Sequence, residues 1–267
     1  MNDQLDHFPI NSAMFIQPRY IAQSAWHGHI PFAAWLTAAV RPRRFVELGS
    51  HWGASYAAFC QTVAEHGIDT RCYAVDTWQG DEHAGFYPED VFRTLDAFNR
   101  ESFAAFSSLM RMTFDQAVSS FEDGSIDLLH IDGLHTYEAV RHDFETWLPK
   151  MSDRGIVLFH DISVRHDDFG VWKLWEELTP RYPHLAFEHS AGLGVLFVGE
   201  NQTDAARTLI RQVGDEAALQ IIRHMFAALG ESVARQFGLA SAHHHIEMLT
   251  AELAKRDASP GAAAVSS

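Results

Sequence analysis

Four short, mostly apolar runs each end on a polar residue, and they constrain the fold more than any other feature of the chain. They are residues 44–48 (RFVEL, then Gly49-Ser50), 72–75 (CYAV, then Asp76), 126–131 (IDLLHI, then Asp132) and 155–159 (GIVLF, then His160-Asp161). A weaker run, residues 109–112 (LMRM), lies between the second and third, and helical spacing marks residues 56–65 and 137–148. Strands that stay apolar without alternation are buried on both faces. Their alternation with helices is the pattern of a parallel sheet covered on both sides. Residues 185–189 and 194–198, joined by SAGL, suit a closing antiparallel pair. The expected class is α/β, a Rossmann-like doubly wound sheet.

Ahead of this core, residues 30–40 read as a covering helix stopped by Arg41-Pro42. After it, residues 203–255 are helical in pattern, with interruptions expected near Gly230 and Gly238. Leu219, Ile222, Phe226, Leu229 and Val233 recur at three- and four-residue steps. Such an apolar stripe serves either as a dimerisation surface or as a face packed back on the core. The chain accordingly divides into an N-terminal covering segment (1–43), an α/β domain (44–200), a helical C-terminal extension for dimerisation or tethering (201–257) and a small-residue tail expected to be disordered (258–267).

Composition narrows the partners. Lys+Arg 20 against Asp+Glu 35 leaves a net charge of −15. That balance disfavours non-specific binding to nucleic acid or to an anionic membrane. No apolar run approaches the ~20 residues of a membrane span, and the first residues lack the basic start and apolar stretch of a signal peptide. Cys60 and Cys72 make neither a disulfide framework nor a CxxC zinc site. The expected setting is cytoplasmic and reduced. Of the 17 histidines, most read as surface residues, and the run His243-His244-His245 has no assigned role.

In open α/β sheets ligands bind beyond the carboxyl ends of the strands, so the residues there carry the functional argument. The first strand leads into Glu47-Leu-Gly-Ser-His-Trp-Gly-Ala-Ser55. Gly49 and Gly53 let backbone approach a ligand, and Ser55 is placed to cap the next helix. Asp76 is a carboxylate suited to ribose hydroxyls. Asp132-Gly-Leu-His135 and His160-Asp161 follow the fourth and fifth strands. A dinucleotide loop opens with G-x-G-x-x-G. Here the loop is G-S-H-W-G, without the middle glycine and preceded by Glu47. A carboxylate at that point repels phosphate and suits an ammonium group, which favours S-adenosylmethionine over NAD.

Taken in order, FVELGSHWGAS (45–55), AVDTW (74–78), IDLLHIDGLHTYE (126–138), DFETWLPK (143–150) and GIVLFHD (155–161) resemble the class I S-adenosylmethionine-dependent methyltransferases. The resemblance spans roughly residues 30–200 and is closest to the branch of catechol-type, antibiotic-sugar and surface-glycan O-methyltransferases. It implies a seven-stranded sheet with a reversed last strand. It also implies that Glu47 and Gly49 lie at the methionine end of S-adenosyl-L-methionine, with Ser50, Gly53 and Ser55 also at the cofactor, that Asp76 takes the ribose hydroxyls with Trp78 near the sugar or adenine, and that Phe114-Asp115 lies at the adenine. Asp132 is shared between cofactor and metal. In metal-dependent members the residues after strands four and five hold a divalent cation, here Asp132 with His160 and Asp161, Mg²⁺ being the first expectation. The family's base falls at His135. The catechol-type pattern has a lysine base and an Asp-Asn pair, so His135 and His160-Asp161 are departures. His160 as a ligand would shift preference towards Mn²⁺ or Fe²⁺.

Blander readings stand beside these. Asp132 could cap the helix near Thr136, His135 could face solvent, and His160 could be a buried strand-end residue. His130 reads as structural, and His142 and Asp143 as lying behind the site or at the surface. Residues 165–170 read as a lid or as a plain polar connection, and residues 80–88 as an acidic loop able to close over a ligand. The expected function is O-methylation of a sugar, glycan or other small hydroxylated acceptor with a divalent metal and His135 as general base. The alternatives are a metal-independent methyltransferase, an NAD-binding oxidoreductase, and a non-catalytic assembly module pairing with itself or with a glycosyltransferase through the C-terminal helices.

Overall fold

The computed structural model describes residues 8–81, 83 and 85–257; the tail expected over 258–267 lies outside the described residues. Strands β1 (Arg44–Leu48), β2 (Arg71–Asp76), β3 (Ser107–Arg111), β4 (Ile126–Ile131), β5 (Met151–His160), β6 (His184–Phe187) and β7 (Leu193–Phe197) form one sheet. Their order is β3-β2-β1-β4-β5-β7-β6. Strands β1 to β5 are parallel, and β7 runs antiparallel to both β5 and β6. This is the expected seven-stranded sheet with its last strand reversed. The strand order changes direction between β1 and β4, which opens a crevice at their carboxyl ends.

The helices are α1 (Ile30–Val40), α2 (Ala54–Glu65), α3 (Glu89–Ser102), α4 (Phe114–Ala117), α5 (Tyr137–Trp147), α6 (Val171–Leu178), α7 (Asp204–Val213) and α8 (Glu216–Asp257). Two apolar layers sandwich the sheet. On one side Phe45 and Leu128 meet α1, α2, α7, α8 and the N-terminal turns. On the other, Val46, Leu48 and Leu129 meet α5 and α6. The period-two alternation of a strand makes this division: Phe45 and Glu47 share one face, Val46 and Leu48 the other. Residues 30 to 37 of α1 are all buried, so α1 is an interior helix without a polar face.

The C-terminal helix corrects one expectation and takes one of the two readings left open for its apolar stripe. α8 runs through Gly230 and Gly238 without a break. A Cβ at Gly230 would collide with the Gly28 carbonyl, so this glycine is where the helix crosses the turn Ala25–His29 in close contact. The stripe Leu219 to Val233 is spent on the chain's own core rather than left for a partner. Ile222 and Phe226 are fully buried, and the Phe226 ring sits 5.2 Å from Phe32 and 5.8 Å from Trp35. Beyond Phe237, which lies against His27, the helix leaves the body and exposes Leu239, Ile246, Met248, Leu249 and Leu253. His243 and His245 are exposed on the same stretch. No helix among the described residues is long and apolar enough to cross a membrane.

Candidate active site at the carboxyl edge of the sheet

The crevice holds a cavity of about 630 Å³, within the usual range for a small-molecule site. Of the residues expected there, Gly49, Ser50, Gly53, Ser55, Asp76, Asp132, His135, His160 and Asp161 line it. The loop after β1 fits because Gly49 has φ +84° and its α-carbon faces the Asp132 carbonyl so closely that a Cβ would collide with it. Asp76 holds the same loop in place. Its Oδ2 accepts from the backbone N–H groups of Ser50 (2.9 Å) and His51 (3.0 Å), and its Oδ1 accepts from that of Trp78 (2.7 Å).

Three expected positions do not face the cavity. Glu47 is fully buried on the Phe45 face of β1, where Oε1 accepts from Ser50 Oγ (2.8 Å) and Oε2 pairs with His130 Nδ1 (2.9 Å). Trp26 Nε1 donates to His130 Nε2 (3.2 Å). An indole N–H only donates, so His130 is the neutral tautomer that donates through Nδ1 to Glu47. The carboxylate read as an ammonium partner is instead consumed by an interior hydrogen-bond chain. Trp78 is buried behind the loop, donating to the His51 carbonyl (2.9 Å) and packing on Phe92. Asp115 points to solvent and pairs with His142 (2.8 Å), while its neighbour Phe114 lines the cavity. Ser55 does not cap α2, whose N-cap is Gly53 without a side-chain bond. Thr136 caps α5 itself, which leaves Asp132 free of that role.

At the cavity floor Asp132, His135 and Asp161 bring one ligand atom each to within 4.8 Å of one another. His135 Nε2 is 3.0 Å from Asp161 Oδ2 and 3.5 Å from Asp132 Oδ1. His160 Nδ1 is 3.3 Å from Asp132 Oδ1 and 3.2 Å from Asp161 Oδ2. These approaches set the two imidazoles against the two carboxylates at the cavity floor. Burial alone would lower both imidazoles, but the two carboxylates outweigh it, pushing His135 up to about 9 and His160 to about 10. Burial would likewise raise Asp132, and the His160 charge with the histidine hydrogen bonds holds it well below the usual carboxylate range. Asp161 sits at φ +61°, strained backbone for a non-glycine residue at a strand end.

Two loops close over this floor. Phe169 stacks parallel to the His135 ring at 4.8 Å and to the His83 ring at 4.7 Å, and His83 Nε2 bonds Asp168 (2.6 Å). The Gly170 N–H donates to the His135 carbonyl (2.8 Å). Residues 165–170 are therefore packed onto the site, and the loop after β2 is tied to them. Residues 23–25 of the N-terminal segment also line the cavity; they carry no motif and were not expected there. Tyr87, stacked on His51 at 4.2 Å, brings the acidic loop of residues 80–88 to the same cavity.

Comparison with known proteins agrees with this architecture. Residues 46–162 match the family model of a methyltransferase domain. An uncharacterized protein, y4gI, of Sinorhizobium fredii (strain NBRC 101917 / NGR234) is 45% identical over 250 residues; these are 94% of this chain and 27% of that protein. The chain thus spans about a quarter of the length of that relative. Among solved structures, a Staphylococcus aureus protein provisionally assigned as a caffeoyl-CoA O-methyltransferase aligns with TM-score 0.51 at 14% identity, over 67% of this chain and 85% of that one. A cofactor-bound protein, Rv0187, from MTB aligns with TM-score 0.51 at 16% identity, over 70% and 85% of the two chains. Residues 46–162 are thus similar to a methyltransferase domain, and the fold is that of the class I S-adenosylmethionine-dependent methyltransferases.

Proposed function

We propose that the chain is an S-adenosylmethionine-dependent O-methyltransferase that methylates a hydroxyl of a sugar, glycan or other small acceptor with the help of a divalent cation. The observation that carries this reading is the convergence of Asp132, His135 and Asp161 at the floor of a cavity bounded by the Gly49 loop. The residues fit a cation: Asp132, His135 and Asp161 each bring one ligand atom to within 4.8 Å of the others at the cavity floor.

Methyl transfer is an in-line displacement: the acceptor O–CH₃ bond forms as the CH₃–S⁺ bond breaks, leaving S-adenosylhomocysteine. A bound divalent cation would lower the pKa of the acceptor hydroxyl and orient it. The protein's part is placement. The Gly49 loop gives the cofactor close backbone access, with Asp76 fixing that loop. Phe169 and the loop after β2 cover the reacting centre. His135 Nε2 faces both carboxylates, so in this reading it is a ligand rather than the base, and the hydroxyl proton leaves to solvent. The metal-independent alternative gives that nitrogen back to proton transfer.

Calorimetric titration of the protein with S-adenosylmethionine tests the reading, followed by methyl-transfer assays on a panel of hydroxylated acceptors with EDTA or with divalent cations. Micromolar cofactor binding and chelator-sensitive turnover are expected. Failure to bind the cofactor under either condition would sink the assignment. Turnover that survives EDTA would return His135 to the role of base.

A further inference from the structure

The apolar face that α8 exposes beyond the body is not a continuation of the face that packs on the core. Leu239, Ile246 and Leu253 recur at steps of seven, and Ala242 and Leu249 follow the first two by three. These are the a and d rows of a heptad repeat. At 3.6 residues per turn they lie on the opposite side of the helix from Ile222, Phe226 and Val233, which are buried against the body. Traced seven residues upstream, the same rows hold Ser232 and Arg235, both exposed, with Arg235 paired to Glu231. The apolar rows therefore begin where contact with the body ends, at Phe237.

Leu239, Ile246, Leu249 and Leu253 are between 47% and 63% exposed. Single apolar residues at a surface are ordinary, whereas a continuous row of them marks a contact surface. Residues 258–267 contain one branched aliphatic residue, Val265, and no aromatic one, too little to cover the row. A second copy of the chain offers the same two rows, and a twofold axis between the copies closes the contact on itself.

Charge selects the direction of the pairing. His245 and Glu252, both exposed, flank the apolar rows on one side at the g positions. In an antiparallel pair with Ile246 against Leu249 of the second copy, Leu253 meets Ala242, large against small. The same register brings His245 beside Glu252 of the second copy, twice over by symmetry. A parallel pair would set His245 beside Thr250 and lose both contacts. The antiparallel pair also places the two α/β bodies at opposite ends of an overlap of about 18 residues, roughly 27 Å, so they do not compete for space.

We infer that residues 239–253 form an antiparallel coiled coil between two copies of the chain. The contact engages far fewer residues than the roughly 20–30 a side of a standard interface, so the dimer is a reversible one of micromolar strength. The inference rests neither on the cation site nor on methyl transfer.

Sedimentation velocity of the full chain, from about 1 to about 200 µM, should show monomer passing into dimer with a dissociation constant on the order of 10 µM. Ile246→Asp combined with Leu249→Asp changes two exposed positions outside the body. It should raise that constant at least about 100-fold and leave the melting temperature of the body unchanged. Direction is read by cross-linking Ile246→Cys and Leu249→Cys proteins with a short bismaleimide, the native Cys60 and Cys72 being buried. A mixture of the two variants should cross-link faster than either alone. A native chain that stays monomeric up to about 200 µM would overturn the inference, as would a dimer that the double aspartate variant leaves intact. Leu249→Cys protein that cross-links with itself as fast as the mixture would overturn the antiparallel register. S-adenosylmethionine binding measured on the same samples keeps the claims apart. A monomer that binds the cofactor sinks the dimer alone, and a dimer that does not bind it sinks the methyltransferase reading alone.

Discussion

Strand β4 has an aspartate at its amino end and another just past its carboxyl end, and the two live in opposite worlds. Asp127 is 2% exposed and fully met by fixed donors. It accepts from the Arg43 backbone N–H (2.7 Å), from Arg43 Nε and Nη2 (both 3.0 Å) and from Ser152 Oγ (2.6 Å), with Arg154 Nε 3.4 Å away. Asp132 is paired instead with the imidazoles of His135 and His160. Burial would raise both carboxyls. The Arg43 and Ser152 hydrogen bonds hold Asp127 below its ordinary value, and the His160 charge does so for Asp132. The amino edge of the sheet thus meets its charge with arginines, whereas the carboxyl edge meets it with the imidazoles of His135 and His160. A doubly wound fold separates structure from chemistry along a single strand in this way.

Substituting each aspartate should separate the two roles. Asp132→Asn removes a carboxylate ligand. Divalent-ion affinity should fall by at least about 1000-fold, since changes outside the ligand shell alone cost 10–100-fold. The melting temperature of the metal-free protein should fall, because His160 and His135 stabilise the Asp132 carboxylate in the folded state, but by less than for Asp127→Ala, whose loss strands arginine donors. Asp127→Ala does the reverse. It strands Ser152, Arg43 and Arg154, and urea unfolding should show a loss of about 3 kcal/mol, while ion and cofactor affinities in the folded fraction stay within about threefold. If Asp132→Asn proved as destabilising as Asp127→Ala, the distinction between the two edges would collapse.

What could be read from the chain follows from locality. The parallel strands were legible because each is an uninterrupted apolar run, and the reversed last strand came with the family resemblance. The polar strand ends that meet in the cavity were legible because a strand delivers the next residue to a known edge. Glu47 misled because the motif was read without its face: alternation from Phe45 turns it into the α1–α2 layer. Its partner chain through His130 to Trp26 joins residues 104 apart, beyond any local pattern. The wall from residues 23–25 had no signal for the same reason. The stripe on α8 was visible, but periodicity does not tell an inner face from an outer one, and only Phe226 set among Phe32 and Trp35 decides it.

A third substitution probes how rigidly the carboxyl edge is prepared. The Phe169 ring lies within 4° of parallel to His135 and limits its rotation. Phe169→Ala should leave cofactor binding intact and weaken divalent-ion binding by about tenfold, measurable by competition against a chelator. No change would mean that the backbone bond from Gly170 to the His135 carbonyl suffices to place the imidazole.

The smallest effect concerns a third carboxylate, Asp143 on α5, directly behind the β4 loop and 7% exposed. It has neither the arginines of Asp127 nor the converging ligands of Asp132. Burial pushes its carboxyl up to about 7; the His142 charge opposes this weakly and Asp115 adds to it. The folded protein therefore holds this proton more tightly than the unfolded chain, whose aspartates titrate near 4. Its contribution to stability is complete below about pH 4 and is lost as pH rises towards 7. Asp143→Asn keeps the site neutral throughout, so the variant should match the native protein at pH 4 and exceed it by about 1 kcal/mol at pH 8, a rise of roughly 2 °C in Tm. This is less than the full linkage value because the surface helix relaxes to admit water. Melting curves across that range, recorded with EDTA to silence the neighbouring site, check the sign. A variant less stable than the native protein at pH 8 would mean that Asp143, like Asp127, is an ionised structural group with a partner at the surface.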